Sequence, residues 1–384
     1  GSNYVMSWVL SNTAAYKYQW RKHGVKALAG LEALNTGAGR SISGSGINPF
    51  SMDMDFLTLN AVQSPVVNSN LFSGVNFYSL FGKLDYNFDE KYFIEGSYRK
   101  DGSSRFNSDV RWGDFYSVGG SWIVSQEKFL ANSKVISQLK LKASYGELGN
   151  NRLSSYFPYL QLFSTGWNEL TNTGVVLGGA VDPNLFWEKT ASGNIGLEFG
   201  LFNDRISGTV DYYNKESVDL IYAKPLPAST GNSSITTNVG SIKNYGWEVA
   251  INTKNIVSDN FTWNTGLNFS MDKNQITELT QKDFTNGNKK WEVGRSLYEF
   301  YVQDWAGVDP ATGYGMWYKD VKDANGLPTG QRVTTKVYSE ASRYYVDKSS
   351  LPDVVGGLTN YFRYKNIDLN ILFNFSYGAY VYDS

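Results

Sequence analysis

The chain has 384 residues, enough for two average domains or one large all-β domain. Its 35 basic and 36 acidic side chains leave a formal net charge of −1, which argues against nucleic acid as a partner, since that calls for a basic excess. With no cysteine and one histidine, His23, the chain excludes a disulfide framework, a thiolate centre and a multi-histidine metal cluster.

Aromatic residues make up 16% of the chain, mostly Tyr (27) and Phe (22). Mean hydropathy is −0.35, and no run approaches the ~18–20 apolar residues of a membrane helix. Gly1-Ser2-Asn3 leads straight into strand-like sequence with no signal peptide, so the chain is expected to be a piece of something longer.

The elements, in order, are almost all strands. From Ser7 to Trp20, Trp8, Leu10, Asn12, Ala14, Tyr16, Tyr18 and Trp20 share one face, opposite Ser11, Thr13, Lys17 and Gln19. Such alternation is the period of a strand. Arg21 to Gly24 is read as a tight turn that leaves His23 solvated, and Val25 to Leu34 as the returning strand. A Gly/Ser/Asn-rich loop is expected up to about Gly74. Val75 to Phe88 and Tyr92 to Arg99 follow around a short turn. A polar crossing, Arg99 to Gly113, leads to Phe115 to Val124 and then Gln138 to Gly146. A long loop spans about 147 to 190. Asn194 to Phe202 and Ile206 to Tyr222 come next, then a loop from Ala223 to Ile235. Thr236 to Thr253 and Phe261 to Asp272 pair, and the longest loop runs from about 273 to 355. Gly356 to Tyr364 and Ile367 to Ala379 close the chain.

About twelve strands result, with connections that largely alternate between short and long. A soluble sandwich has no reason to sort its loops in this way. An antiparallel transmembrane β-barrel does, with short periplasmic turns and long extracellular loops. Aromatics also crowd the strand ends beside the short turns: Tyr18 and Trp20, Tyr86, Phe88 and Tyr92, Phe202, Phe261 and Trp263, Phe362 and Tyr364. Rings of this kind settle at the headgroup level of a bilayer. The opposite faces carry charge, including Lys83, Asp85, Glu95, Arg99, Lys140, Lys142, Asp211, Lys215 and Asp219, which suits a wet lumen. Alternation alone would also fit a soluble β-sandwich or propeller.

No catalytic set is present: His23 lacks a triad, and the carboxylates form no recognisable acid/base pair. The chain is therefore not expected to be an enzyme, and no cofactor or metal is expected. Asp309 to Gly313 lacks the repeated oxygen ligands of a calcium loop and is read as a turn. Between Arg99 and Gly113, Asp101-Gly102 is expected to turn, with Arg99, Arg105 and Arg111 paired to Asp101, Asp109 and Asp114; an anionic-ligand cluster is the other reading.

At RKDGSSRF (residues 99 to 106) and Arg111-Trp112-Gly113 the sequence resembles the SusC/RagA family of TonB-dependent outer-membrane transporters. Further blocks follow in the family's order: Ser144-Tyr145-Gly146, DPNLFWEKT from Asp182 to Thr190, Asp211-Tyr212-Tyr213, Asp219-Leu220-Ile221, Pro225-Leu226-Pro227, Asn238-Val239-Gly240, Trp305 to Pro310, and Gly356-Gly357-Leu358. The resemblance covers roughly residues 75 to 384. It implies a plugged barrel of about 22 strands, of which residues 1–384 would form about 12 in one barrel domain. The plug domain, the TonB-contacting segment and the remaining strands would lie outside them. It further implies a TonB-energised importer of oligosaccharides or peptides in the bacterial outer membrane, among its lipid and with a SusD-like lipoprotein lid. A siderophore- or cobalamin-type TonB-dependent receptor and a soluble carbohydrate-binding module are the alternatives. Ligand contacts are expected among the loop aromatics Trp167, Trp187, Trp291, Tyr301, Trp305, Trp317 and Tyr318, whose faces stack on sugar rings or apolar side chains.

Overall fold

The computed structural model describes every residue except Met54, Phe56, Leu57, Asn168, Thr171, Thr173 and Ser384. Twelve strands form one sheet in strict chain order: β1 (Ser2–Trp20), β2 (His23–Ile47), β3 (Gln63–Phe88), β4 (Tyr92–Ser103), β5 (Trp112–Ile123), β6 (Ile136–Asn150), β7 (Glu188–Leu201), β8 (Ile206–Val218), β9 (Gly240–Val257), β10 (Phe261–Leu279), β11 (Val354–Tyr364) and β12 (Ile367–Tyr377). The twelve segments with alternating sequence are these twelve strands. Among the described residues there is no α-helix.

The chain divides into two compact units. The first comprises residues 1–118, 146–189 and 221–238. Here β1 to β4 pair antiparallel through long registers, from Trp20↔His23 to Ser2↔Ile42 and from His23↔Phe88 to Ile47↔Gln63. The loop expected up to Gly74 is therefore mostly paired strand. Its Gly, Ser and Asn residues show no apolar alternation because both faces of this extension are largely exposed, but the backbone ladder does not need one. The three-residue turn after β3 places Asp89 and Glu90 at φ 54°, and Asp89 donates its N–H to the Lys22 carbonyl at 2.7 Å. His23 is not a solvated turn residue: it opens β2, hydrogen-bonds the Tyr86 hydroxyl at 2.8 Å and packs between Trp20 and Phe88.

The core of this unit is a small cluster of Phe106, Phe115, Leu153, Leu185 and Trp187, all under 9% exposed. Its residues come from the polar crossing, β5, the start of the loop after β6 (Leu153) and the DPNLFWEKT block. Asp101 and Gly102 do not form a turn; they lie in β4, opposite Ser79 and Tyr78. The chain reverses later, at 104–111, where Phe106 plunges into the cluster and Ser103 donates its N–H to the Arg111 carbonyl at 3.2 Å. Within the long loop, Phe163–Thr165 pairs with Val175–Leu177. Ile221–Pro225 and Ser234–Asn238 form a separate hairpin.

The second unit comprises residues 119–145, 190–220 and 239–384. It contains β8 to β12, paired in register from Ile206↔Thr253 through Tyr364↔Ile367. The continuous strands expected over 206–222 and 236–253 are both broken. Asp219 sits at φ 57°, a left-handed conformation that Asp tolerates. Gly240 sits at φ 145°, where a Cβ would lie 2.1 Å from the Glu278 carbonyl oxygen. The 273–355 stretch is not bare loop. It holds a four-stranded sheet (Asp283–Asn286, Lys289–Glu292, Glu299–Gln303, Arg343–Ser349) and a three-stranded one (Trp305–Val308, Gly315–Lys322, Pro328–Thr335).

Candidate functional site: a two-faced wall and its loops

Register sorts the wall residues onto two unlike faces. On one face of β1 to β4 lie Tyr16, Tyr18, Trp20, Leu80, Leu84, Ile94 and Tyr98, all large and exposed; Leu80 is 44% and Ile94 58% accessible. On the same kind of face in β11 and β12 lie Leu358, Phe362, Leu369 and Phe373, the last two more than half exposed. Aromatic pairs mark the ends beside the short turns: Trp263 stacks on Phe362 at 5.7 Å, and Phe88 lies 6.3 Å from Tyr92. An exposed apolar band of this extent has no place in water. It is the surface a bilayer covers, bounded by aromatic girdles.

The other face is charged and internally neutralised. Lys83 lies 2.9 Å from both Asp85 and Glu95. Lys142 bridges Asp211 at 2.9 Å and Glu198 at 3.5 Å. The Tyr213 hydroxyl donates to Asp272. Toward the short turns this face opens into a cavity of about 630 Å³, lined by Asp204, Asn252, Lys254, Asn264, Asn268 and Tyr361.

The loop aromatics fall into distinct environments. Trp187 is 3% exposed in the core cluster, its indole N–H donated to the Arg111 carbonyl at 2.9 Å. Trp291 is also buried, against Phe284 with ring centroids 4.9 Å apart. These two rings build the loops. Tyr301 meets Tyr345 edge-on at 5.1 Å, flanked by Lys290 and Arg343. Burial and the Glu292 carboxylate beside it push the Tyr345 hydroxyl well above the ordinary phenol range. Trp167 is exposed. Trp305 and Trp317 are brought together by register, rings 5.4 Å apart and nearly perpendicular, with Tyr338 edge-on to Trp317 at 5.2 Å. Trp305 is 54% exposed. Tyr318, one residue on, projects from the opposite face of its strand and stays outside this trio. Tyr338 carried no signal in the sequence; it opens a short 3-10 turn, Tyr338–Glu340, just after the strand Pro328–Thr335.

Asp309 opens the turn expected at 309–313. It accepts from the Ala311 N–H at 3.0 Å and the Thr312 hydroxyl at 2.5 Å, and Lys336 lies 2.5 Å away. The Lys336 ammonium holds its carboxyl well below the usual range. Among the described residues no cluster of three or more His, Cys, Asp or Glu could hold a metal.

The chain matches the family described as TonB dependent receptor-like, beta-barrel, over residues 3–382. It is 35% identical over 332 residues to TonB-dependent receptor P26 of Formosa agariphila, covering 81% of this chain and 33% of that protein. It is 34% identical over 330 residues to TonB-dependent receptor SusC of Bacteroides thetaiotaomicron, covering 79% of this chain and 31% of that one. Among solved structures, the RagAB peptide transporter superposes with a TM-score of 0.84 at 31% identity, over 97% of this chain and 41% of that chain. The chain thus spans about a third of the length of the curated relatives it matches. The outer-membrane transporter YddB of Escherichia coli, at 12% identity and a TM-score of 0.52, shares the fold alone. Family match, SusC- and RagA-like relatives and two-faced wall agree: the chain belongs to the TonB-dependent receptor β-barrel family, and it is an outer-membrane protein.

Proposed function

We propose that residues 1–384 form part of the barrel wall and outer loops of an importer that takes up oligosaccharides or peptides, energised through TonB and working with a SusD-like surface lipoprotein. The observation that carries the reading is the pairing of an exposed apolar face with an ion-paired polar face along the same strands. Such a wall separates lipid from an aqueous passage. Two relatives' names support the TonB link and the transport of peptides: SusC is a TonB-dependent receptor, and the RagAB structure is that of a peptide transporter. On this reading the plug domain and the TonB-contacting segment belong to parts of the whole protein outside these residues. The wall and loops bind and guide; they carry no chemistry. The half-exposed Trp305 and the partly buried Trp317, with Tyr338, offer the stacking surface best placed for a sugar ring or an apolar side chain. Tyr301, Tyr318 and Trp167 are weaker contacts in the same role.

Gentle detergent extraction of outer membranes, pulling on this protein, with mass spectrometry of what accompanies it, tests the assembly. A polypeptide much longer than 384 residues together with an abundant lipoprotein is expected. Recovery with no lipoprotein would remove the SusD-like lid from the reading, and recovery from the soluble fraction would end it.

A further inference from the structure

The arginines of the polar crossing do not share one fate. Arg99 is fully engaged: its Nε lies 2.6 Å from Asp101, its Nη2 2.7 Å from the Ser79 hydroxyl, and Glu32 lies 3.7 Å away. The expected partners of the other two do not pair with them. Asp114 receives Lys100 at 3.6 Å and the Tyr98 hydroxyl at 2.5 Å. Asp109 accepts from the Ser108 hydroxyl at 3.0 Å. Nearby, Glu188 accepts from Asn150 and from the Ile221 N–H, and Asp182 accepts from Thr237. Arg105 and Arg111 form no ion pair among the described residues. Arg105 donates from Nη1 to the Asn151 carbonyl at 3.0 Å, and its Nε is buried with no acceptor. The Arg111 Nε is likewise buried and unmet.

The backbone that carries both arginines is pinned. The Arg111 carbonyl accepts from Ser103 N–H and from the Trp187 indole. Phe106, next to Arg105, is fully buried 5.1 Å from the Trp187 ring. Asn151 ties the two ends of the crossing, donating from Nδ2 to the Ser103 hydroxyl at 3.1 Å. A half-buried cation with an unmet Nε–H is costly in the unliganded state. A guanidinium presents its donors as a fork that fits a planar or tetrahedral oxyanion.

We propose that Arg105 and Arg111 form an oxyanion site, for a carboxylate or sulfate group, on the loop between β4 and β5. The site stands on charge accounting and geometry within that loop, so its test needs neither partner nor transport and is separate from the import reading.

The experiment is calorimetric titration of the full-length receptor in detergent with sodium sulfate and with sodium acetate, against sodium chloride at equal ionic strength. Saturable binding of at least one of the two oxyanions is expected, weakened about tenfold or more in Arg105→Gln and in Arg111→Gln, the scale of one charge-assisted hydrogen bond. Lys26→Gln, on the wall, should leave it unchanged. Acetate alone would identify a carboxylate site, and sulfate alone a sulfate site. No saturable binding to the unaltered receptor would overturn the proposal. So would binding that survives both arginine substitutions. If Arg111→Gln fails to fold, Arg105→Gln and the unaltered receptor still decide it.

Discussion

The strands of the wall and the short strands of the loops use the same backbone pattern for opposite ends. In the wall, the large apolar residues point outward and stay exposed, as Ile94 and Phe373 do at 58% and 57%. In the sheet over 283–349, Phe284, Trp291, Phe300 and Val302 are each under 10% exposed. The loops thus hold their own small cores, as soluble sheets do, whereas the wall leaves its apolar surface to the solvent around it. What differs is not the strand but what covers it: protein in one region, lipid in the other.

The contrast can be tested by substitution. The largest loss is expected for Trp187→Ala, which empties the cluster under the β4–β5 crossing. About 3–5 kcal/mol is the usual cost for a buried aromatic, read as a lower melting temperature in detergent and new proteolysis near residues 104–111. Next, Leu80→Arg on the outward band should cost about 2–4 kcal/mol when the receptor refolds into lipid vesicles. Thr13→Arg, on the polar face, should stay within about 0.5 kcal/mol. Equal costs at the two positions would erase the distinction between the faces. A smaller effect, about 1–3 kcal/mol, is expected for Asp219→Val, which forces a β-branched residue into the left-handed region.

The smallest effect is a pH dependence in the loops. The carboxyl of Asp309 is depressed in the folded state by Lys336, so its contribution is complete above the ordinary carboxylate pKa of about 3.9 and is lost as pH falls through the lower folded value. Lys336→Ala should return the Asp309 titration toward the ordinary range, as followed by carboxyl NMR. An unchanged titration would mean that the turn's own donors, Ala311 and Thr312, hold the charge.

The wall was largely legible in the sequence because its signal is local. Alternation on β1, β3 and β6 and the Tyr and Trp residues beside short turns need no tertiary knowledge. The breaks at Asp219 and Gly240 were not legible, since each is a single backbone conformation inside a strand-like run. Nor was the pairing of β2 and β3 beyond Leu34, where Gly, Ser and Asn give no periodicity. At the candidate site, the aromatics could be counted but not sorted. Trp187 and Trp305 look alike as letters, and only packing makes one a core residue and the other a half-exposed face. The arginine pairing held for Arg99 with Asp101 and failed for Arg111 for a related reason: Asp114 was within reach along the chain, but Lys100 and Tyr98 claim it across the sheet.

The strict chain order of the twelve strands has an evolutionary side. Every strand finds its partner in the segment just before or just after it, so no connection crosses over another. Lengthening a loop then costs only closure entropy, about 0.6 kcal/mol for each doubling, and shifts no register. The long-loop end can be rewritten, even furnished with sheets of its own as over 283–349, without any change that the frame carrying it would have to accommodate.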